Sequence, residues 1–385
     1  MQKRTFSSAV FADSKPHYEL LDGLRGVAAI LVVFYHIFEG FSFAELTNGA
    51  GSGAITTLNH GHIAVDFFFV LSGFVISYAY DNRWDRMTTG EFFKRRLIRL
   101  HPMVVMGAII GTIAFAATGF EKWDGSTAPT GWVMTAMLLT MFMIPALPGA
   151  PHEVRGNGEM FPLNGPTWSL FFEYIGNILY ALFIRRLPTW ALGVLTLLLG
   201  LAHSCFFIFD VSGYGMVGIG WTIDEVNFLG GLLRMLFPFT MGMLCARRFK
   251  PRKIKGAFWI CSALLIILFA LPNFGKVNCN DEVICIAGAF PLIVWMAASG
   301  STSGKTAKIN NILGEISYPL YIVHYPLMYI FYKWLIEQQR YTLGETAGIA
   351  TLVVAASIVL ALLCLKLYDE PLRKWLAKKF LKSQH

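Results

Sequence analysis

The sequence predicts an all-α membrane protein, a polytopic helical bundle with ten transmembrane helices and one outer-face segment that does not span. The first observation is composition: 55% of the 385 residues are hydrophobic and only 15% are charged, and the mean hydropathy is +0.54. The second is that the apolar residues occur in runs of about twenty, the length that a helix needs to cross a bilayer core of roughly 30 Å. The third is the distribution of basic residues between these runs.

Eleven apolar runs follow one another along the chain: 21–40, 62–80, 100–119, 131–147, 168–186, 189–209, 228–246, 256–272, 283–299, 312–332 and 345–367. If all eleven crossed, the basic segments 185–186 and 247–253 would lie opposite 94–99, although Lys and Arg concentrate on the cytoplasmic side. The run 131–147 is short, Met-rich and closed by Pro145 and Pro148. We therefore expect it to lie in or dip into the outer face, which leaves ten crossings and both termini in the cytoplasm.

This topology gives a strong charge bias. The cytoplasmic segments carry 25 Lys and Arg residues and the outer segments carry 5, so topology explains the net charge of +8 and no nucleic-acid partner is expected. Residues 1–20 lack the small-residue cleavage pattern of a signal peptide, so the first span is expected to remain as an anchor. We expect a single membrane domain over 1–385, with a core of about 17–370 and no appended soluble domain.

The six cysteines show neither a Cys-x-x-Cys pair nor a Cys/His spacing typical of metal sites, so no metal is expected. Most are expected to fill space between helices. Cys279 and Cys285 fall near the outer face in this topology, where an oxidising compartment permits a disulfide. The sequence leaves that pairing open.

The first span carries two ionisable side chains far apart. Arg25 and His36 are eleven residues apart, or about 16 Å along a helix at 1.5 Å per residue. Ionisable residues inside a membrane are costly and usually mark a functional site. Because this span runs outward, Arg25 lies at the cytoplasmic face beside Asp22, and His36 lies near the outer face. The pattern indicates an enzyme that takes a charged donor on one side and reacts near the other.

Further polar side chains occur in the second span and the fourth crossing. Asp66 begins the second span near the outer face, and Ser72-Gly73 follow near mid-membrane. Glu173 lies roughly 8 Å below the outer end of the fourth crossing. That depth is similar to the depth of His36, and a carboxylate paired with an imidazole fixes its tautomer and raises its basicity. We therefore predict that Glu173 orients His36 as a general base.

A basic cluster at the cytoplasmic face is expected to supply an anion site. Arg96 and Arg99 are three residues apart and lie on one helical face, and guanidinium groups bind phosphate in a bidentate manner. With Arg25 they predict an anion site just inside the membrane. Simpler explanations remain open, because arginines also snorkel to lipid headgroups and buried acidic or His side chains also form structural hydrogen bonds between helices.

His324 lies about two-thirds of the way out along the span 312–332, between Pro319 and Pro326. Prolines free backbone carbonyls that need partners, so a structural role and contact with substrate are weighed equally. Arg234 lies inside another span and needs a partner, and the candidates are a substrate anion, Asp224 and Glu225. We expect acceptor specificity in the outer segment 120–167, which contains Trp123, Trp132, Arg155 and Glu159.

Together these segments resemble the acyltransferase-3 family of integral membrane acyltransferases, over most of the chain. The resemblance rests on an Arg-x10-His pair, a hydrophobic run ending in Ser-Gly-Phe, an Arg-x-x-Arg-x-x-Pro run, a Trp-Ser-Leu-x-x-Glu segment and a late segment with two prolines and a histidine. In this sequence they are 21–26 with His36, 67–74, 96–102, 168–173 and 316–326. Some relatives carry two carboxylates where this chain has only Glu173.

The resemblance implies ten core helices and transfer of an acyl group, usually acetyl, from cytoplasmic acyl-CoA to a hydroxyl of an extracytoplasmic or lipid-linked carbohydrate. It implies that His36 is the essential histidine and that Arg25, Arg96 and Arg99 contact CoA. The pantetheine arm would pass Ser72-Gly73 and bring the thioester to His36. Three more side chains are expected to contact the acceptor: Asp66, Trp168 and His324.

Two chemical routes and two other classes of protein stay open at this point. His36 acts either as a general base for direct attack or as the carrier of a covalent acyl group. The alternatives to an enzyme are a proton-coupled multi-pass transporter, which the absence of repeated halves disfavours, and an export partner for surface glycan. The expected location is the bacterial cytoplasmic (inner) membrane, with lipid, the carbohydrate or glycolipid acceptor and surface-polysaccharide assembly proteins as partners.

Overall fold

The computed structural model describes residues 18–48, 59–250, 252–272, 278–338 and 342–381. These residues are mostly helical, and the only strand-like pairings among them are isolated bridges. We number the α-helices in chain order, with a π-helical turn after α9 (Cys285–Ala289) and another after α12 (Cys364–Asp369). They are α1 Glu19–Asn48, α2 Ala64–Tyr80, α3 Thr89–Ala117, α4 Thr130–Met141, α5 Thr167–Leu182, α6 Thr189–Ile208, α7 Glu225–Arg248, α8 Ala257–Ala270, α9 Asn278–Ile284, α10 Phe290–Ala298, α11 Gly304–Glu337, α12 Leu343–Leu363 and α13 Glu370–Phe380.

The helical membrane architecture predicted from composition is confirmed. Within the described ranges, 7 helical segments are long and apolar enough to span: Glu19–Glu45, Gly61–Tyr80, Thr89–Ala117, Thr189–Ile208, Glu225–Arg248, Asn278–Ala298 and Gly344–Phe380. Of the other three expected spans, α5 has 16 residues and α8 has 14. Helix α11 has 34 residues, but its tyrosines, prolines and histidine lower its hydropathy. The count of ten spans therefore stays a prediction.

Helix α4 covers most of the run that was expected not to cross. Its 12 residues extend about 18 Å at 1.5 Å per residue, which is less than a bilayer core of roughly 30 Å. The segments before and after α4 are joined by a hydrogen bond, since the Trp123 amide donates to the Arg155 carbonyl at 3.1 Å. The residues that directly follow α4 contact the same loop, because the Ala146 amide donates to the Met160 carbonyl at 2.8 Å. Both flanks of α4 therefore lie at the same end of the bundle.

Contacts between helix termini define two ends of the bundle. Tyr18 before α1 packs on Tyr78 near the end of α2 and on Phe249 after α7. In the same region Arg247 pairs with Asp81 at 2.8 Å. We call this end, which also contains Arg25 and Arg96, the arginine end. The opposite end, which contains His36, His62 and His324, is the histidine end.

Helices α1 and α11 lie side by side at very close distance. Small residues permit such an approach between membrane helices. An added Cβ would lie 2.2 Å from the Leu313 carbonyl oxygen at Gly26 and 2.6 Å from the Tyr332 ring at Gly40. Because these contacts occur near both ends of α1, the two helices lie in contact over most of the length of α1.

The crossing of α2 and α7 explains why position 73 is a glycine. A Cβ on Gly73 would lie 1.9 Å from the carbonyl oxygen of Phe239, and a Cβ on Gly242 would lie 2.0 Å from that of Val70. Gly73 therefore faces the α7 backbone and not the cavity described below, whereas its neighbour Ser72 faces the cavity. Gly73 does not line the cavity, so the structure gives its close packing a structural reason, and its contact with the donor stays a prediction.

The six cysteines are all free thiols, including Cys279 and Cys285. The disulfide that the sequence left open is therefore not formed in this structure. Cys279 and Cys261 are buried among apolar side chains, as expected for cysteines that fill space between helices.

Candidate active site

A cavity of about 240 Å³ lies between α1, α2, α3, α5, α11 and the C-terminal helix α13. It begins among exposed residues of the arginine end, such as Glu19 and Glu315, and extends inward to Val65, Ser169 and Tyr321. Five predicted site residues from four separate helices line it: Arg25, Ser72, Arg96, Arg99 and Glu173. The structure thus brings the expected arginine cluster together.

Arg25 is held in place at the cavity wall by α1 and α11. Its Nε donates to Ser317 Oγ at 2.9 Å, and its Nη2 lies 3.2 Å from Asp22 Oδ1. Its Nη2 also contacts the Gly314 carbonyl oxygen at 3.5 Å. These partners leave the guanidinium fixed in one orientation, with Arg25 on the cavity surface.

The carboxylate of Glu173 is used within the cavity, which corrects its predicted role. Arg96 Nη2 donates to Glu173 Oε1 at 2.6 Å and Ser72 Oγ donates to the same oxygen at 2.9 Å. The prediction that Glu173 orients His36 is wrong, because α5 directs this side chain toward α2 and α3. The pairing of Glu173 with His36 was predicted only from their similar depths in the membrane, and depth does not determine which neighbouring helix a side chain faces.

Arg99 differs from the other two arginines of the predicted cluster. It lines the cavity and is half-buried. Among the residues that the structure describes, it has neither a hydrogen-bonding partner nor an ion pair, whereas Arg25 and Arg96 each pair with a carboxylate. A guanidinium with unused donors on a cavity wall is suited to an anionic ligand.

His36 is oriented by Glu39, one helical turn further along α1. His36 Nδ1 lies 2.6 Å from Glu39 Oε2, and the Tyr332 hydroxyl lies 2.8 Å from the same carboxylate oxygen. A carboxylate on Nδ1 holds the proton there, so Nε2 carries a lone pair. The side chains of His36 and Glu39 are 15% and 31% exposed, which leaves the pair accessible from the histidine end. The arrangement is suited to general-base catalysis.

A second imidazole lies beside the first. The rings of His324 and His36 are 5.3 Å apart between centroids, and His324 Nδ1 lies 3.0 Å from the Leu320 carbonyl oxygen. Because a carbonyl only accepts, Nδ1 carries the proton and Nε2 carries a lone pair. That Nε2 is buried and has no partner among the described residues. His324 is therefore close to His36, and its contact with substrate stays a prediction.

The cavity ends one helical turn short of the histidines. Tyr321 and Ser169 close its inner end and contact each other through their hydroxyls at 2.7 Å. The Tyr321 ring is 6.0 Å from the His324 ring, and neither histidine lines the cavity. Among the described residues, no continuous cavity therefore joins the arginines to His36, and the Tyr321 ring lies between them.

Asp66 forms a buried ion pair with Arg234, which corrects its predicted contact with substrate. Trp168 lies beside this pair and is half-buried, and its contact with substrate stays a prediction. Arg234 donates to both carboxylate oxygens of Asp66, at 2.7 and 3.2 Å, and its other donors reach the carbonyls of Ile219 and His62. The Arg234 guanidinium lies 5.0 Å from the Trp168 ring centroid. Asp66 is fully buried, so its oxygens are not available to an acceptor.

The outer segment 120–167 folds over the histidine end of α11. Arg155 is buried with its guanidinium carbon 3.7 Å from the Tyr329 ring centroid, and its Nε donates to the Pro162 carbonyl. Tyr329 donates in turn to Glu159, and burial raises the pKa of Glu159 to about 7. Arg155 and Glu159 therefore fix this segment against α11, whereas Trp132 is exposed.

The comparison with known proteins decides the class of this protein. A family model described as an acyltransferase domain matches residues 18–366. The chain belongs to the acyltransferase-3 family. The match covers every helix that lines the cavity except α13, and it makes the protein an acyltransferase, as the sequence motifs predicted.

Curated relatives of this family member are similar over much of their length. The acyltransferase MdmB of Streptomyces mycarofaciens is 26% identical, over 93% of this chain and 92% of the relative. The peptidoglycan O-acetyltransferase OatA of Listeria monocytogenes is 24% identical over 94% of this chain, which spans 56% of the relative. The exopolysaccharide production protein ExoZ of Rhizobium meliloti is 24% identical over 69% of this chain and 75% of the relative. No solved structure gives a significant match.

Sequence reasoning missed three residues of this acyltransferase site. Glu39 was detectable, because it is a carboxylate three residues after His36 on the same helix face. Tyr321 and Tyr325 were not, because nothing in the sequence indicates that α11 turns them toward the cavity and toward His36. The Tyr325 ring lies 4.6 Å from the His36 ring between centroids. Within the described residues, no cluster of three His, Cys, Asp or Glu side chains has the geometry of a metal site.

Proposed function

We propose that this acyltransferase transfers an acyl group, acetyl in the first instance, from cytoplasmic acyl-CoA to a hydroxyl of an extracytoplasmic or lipid-linked carbohydrate. It lies in the bacterial cytoplasmic membrane as one domain, with ten spans and both termini in the cytoplasm. The names of OatA and ExoZ support a glycan acceptor. The excess of basic residues in the segments of the arginine end supports the orientation.

The observation that carries the proposal is that one helix, α1, joins an arginine-lined cavity to a carboxylate-oriented imidazole. Arg25 lies at the cavity wall and His36 lies at the opposite end of the bundle. Their separation along α1 is about 16 Å. An extended donor that is anionic at one end and carries a thioester at the other fits these two groups.

The donor binds with its nucleotide at the arginine end and its pantetheine arm along the cavity. Arg25 and Arg99 offer charge-assisted hydrogen bonds to phosphate oxygens. Arg96 is held by Glu173, so it contributes by lining the wall next to Ser72. The thioester reaches His36 after the Tyr321 ring rotates away from Ser169.

The chemical step is direct attack by the acceptor hydroxyl. His36 Nε2 takes the hydroxyl proton while the oxygen attacks the thioester carbonyl carbon. A C–O ester bond forms, the C–S bond breaks, and the electron pair leaves with sulfur. The imidazolium, stabilised by Glu39, then gives the proton to the thiolate, so the products are the acyl ester and free CoA. His324 and Tyr325 hold the acceptor beside His36.

A covalent acyl group on His36 Nε2 is the alternative chemical route, and it uses the same residues. Product-inhibition kinetics distinguish the two routes. Direct attack gives the pattern of a ternary complex, whereas a ping-pong pattern in both substrates would establish the acyl-histidine.

The proposed function is tested with radiolabelled acetyl-CoA and sealed membranes from cells that express the protein. We expect label in glycan outside the membrane, and a loss of about 10²–10⁴-fold in rate for His36→Ala, the range that general-base catalysis contributes. Lys308→Gln, an exposed residue in the first turns of α11, is the control and should keep the wild-type rate. Full transfer by His36→Ala, or no transfer from acetyl-CoA by the wild type, would refute the proposal.

A further inference from the structure

The C-terminal helix α13 forms part of the cavity wall at the arginine end. Asp369, Glu370, Arg373 and Ala377 line the cavity together with residues of α1 and α3. Helix α13 packs against α3, which carries Arg99. The family match ends at residue 366, so these lining residues lie beyond the segment that the family motifs describe.

Arg373 presents unused donors to this cavity. Its Nε lies 3.1 Å from Asp369 Oδ2, and its side chain is 25% exposed. Its two terminal nitrogens have no partner among the described residues. Asp369 is itself 1% exposed, so the pair fixes the start of the Arg373 side chain and leaves its outer nitrogens free.

The carboxylates near Arg373 other than Asp369 have partners of their own. Lys366 lies 3.2 Å from Glu315 and 2.5 Å from Glu370. Asp22 and Glu173 pair with arginines on the other walls. Within the described part of the cavity, Arg99 and the outer nitrogens of Arg373 are therefore guanidinium donors that no protein acceptor satisfies.

We propose that Arg373 and Arg99 together bind phosphate of the donor's nucleotide, so that α13 is part of the donor site. This inference rests on the proposed function, which supplies a donor with a nucleoside phosphate at the arginine end. Two guanidinium groups from two helices match the several anionic oxygens of such a group. Arg373 is then a specificity residue for the part of the donor that takes no part in the chemical step.

The inference is tested by measuring CoA binding and turnover with the purified protein. Binding of free CoA is measured by thermal stabilisation in detergent, which does not require activity. For Arg373→Gln we expect an increase of about tenfold in the Kd for CoA and in the KM for acetyl-CoA, as for loss of one charged hydrogen-bonding group, with kcat nearly unchanged. Arg373→Lys should fall between Gln and wild type.

Lys378→Gln, an exposed residue one turn further along α13, is the matched control and should leave Kd and KM unchanged. Comparison with 3′-dephospho-CoA identifies the phosphate: if the 3′-phosphate is the ligand, wild type and Arg373→Gln bind this analogue equally. An unchanged Kd for CoA in Arg373→Gln, or an equal increase in Lys378→Gln, overturns the inference alone. No stabilisation of the wild type by CoA overturns both the inference and the proposed donor.

Discussion

The orientation of His36 depends on Glu39 of the same helix and on Tyr332 of α11. The Tyr332 hydroxyl lies 2.8 Å from both the His36 carbonyl oxygen and Glu39 Oε2. Tyr35 reaches the other oxygen of Glu39 at 3.5 Å. Because α11 supplies Tyr332, the orientation of the imidazole depends on the packing of α11 against α1.

Replacing Glu39 by Gln should lower kcat with little change in KM for acetyl-CoA. The amide does not stabilise an imidazolium, so we expect a loss of at least about tenfold, a part of the 10²–10⁴-fold that a general base contributes. The donor cavity is at the other end of α1, which is why KM should stay constant. Steady-state kinetics in detergent or nanodiscs measure both constants.

Two related variants test whether Glu39 acts through its position. Glu39→Asp keeps the charge and should retain more activity than Glu39→Gln. Glu45→Gln, a carboxylate further along α1, is the matched control and should behave as wild type. A wild-type kcat in Glu39→Gln would show that the carboxylate does not orient His36.

At the residue scale, the sequence predicts distances between side chains of the same helix. It does not predict the partner of a side chain when that partner depends on how a second helix packs. The separation of Arg25 and His36 follows from helical rise alone. The partner of Glu173 depends on how α5 is rotated against α2 and α3, which no local pattern in the chain specifies. The residue that the sequence paired with His36 by depth is therefore replaced by Glu39 of the same helix.

Among the elements, the pair α2–α7 combines a close backbone crossing with a buried ion pair. Gly73 and Gly242 bring the helices together in the middle of the crossing. Asp66 and Arg234 join them nearer the histidine end, with side chains 0% and 2% exposed. Buried charges of this kind are stable only as a pair, because each alone would lose hydration without compensation.

Asp66→Ala alone should destabilise the protein by about 3–5 kcal/mol, since it leaves the Arg234 charge buried without its partner. The double variant Asp66→Leu with Arg234→Met should recover most of this stability, because apolar groups of similar volume often replace a buried pair without loss. Thermal unfolding in detergent measures both effects.

The same double variant separates a structural role for Asp66 from contact with the acceptor. If the pair is structural, the stable double variant keeps its acyl transfer to glycan. A stable but inactive double variant would indicate that Asp66 contacts the acceptor. A structural control is Gly131→Ala in α4, where an added Cβ meets nothing within 4 Å and no loss of stability is expected.

At the element scale, long apolar helices could be predicted and short or polar ones could not be assigned with the same criteria. Composition and run length define α1, α2, α3 and α7. Helix α5 is too short for those criteria and α11 is too polar, yet both line the cavity. Polar residues on α11 are tolerated because they face other helices: Ser317, Tyr321, His324 and Tyr329 are all buried.

For the whole molecule, the donor cavity and the histidine pair form two compartments. Tyr321 belongs to the wall between them and is 6% exposed. The histidine end is accessible through the partly exposed His36 and Glu39, whereas the cavity begins at the arginine end. In the proposed mechanism, this wall keeps water at the histidine end away from the thioester until the acceptor is bound.

Tyr321→Ala should therefore increase hydrolysis of acetyl-CoA in the absence of acceptor, because loss of the ring joins the two compartments. We expect an increase of several-fold in acceptor-independent release of CoA thiol, measured with a thiol reagent. Tyr321→Phe keeps the ring and is the matched control, so its hydrolysis should stay near the wild-type rate. Equal hydrolysis by Tyr321→Ala and wild type would show that this side chain does not separate the compartments.

The close contact between α1 and α11 has a further consequence. Arg25 and His36 lie on one continuous helix, so the rise of that helix sets the interval between them. The close packing of α11 at Gly26 and Gly40 holds α1 in place, and we therefore expect this interval to stay constant during turnover. A substrate analogue that keeps the reactive acyl thioester but truncates the arm, such as an acylated cysteamine, is too short to satisfy both groups at once. The enzyme should therefore discriminate among acyl carriers by the length of the arm that bears the thioester, even when their thioesters are equally reactive.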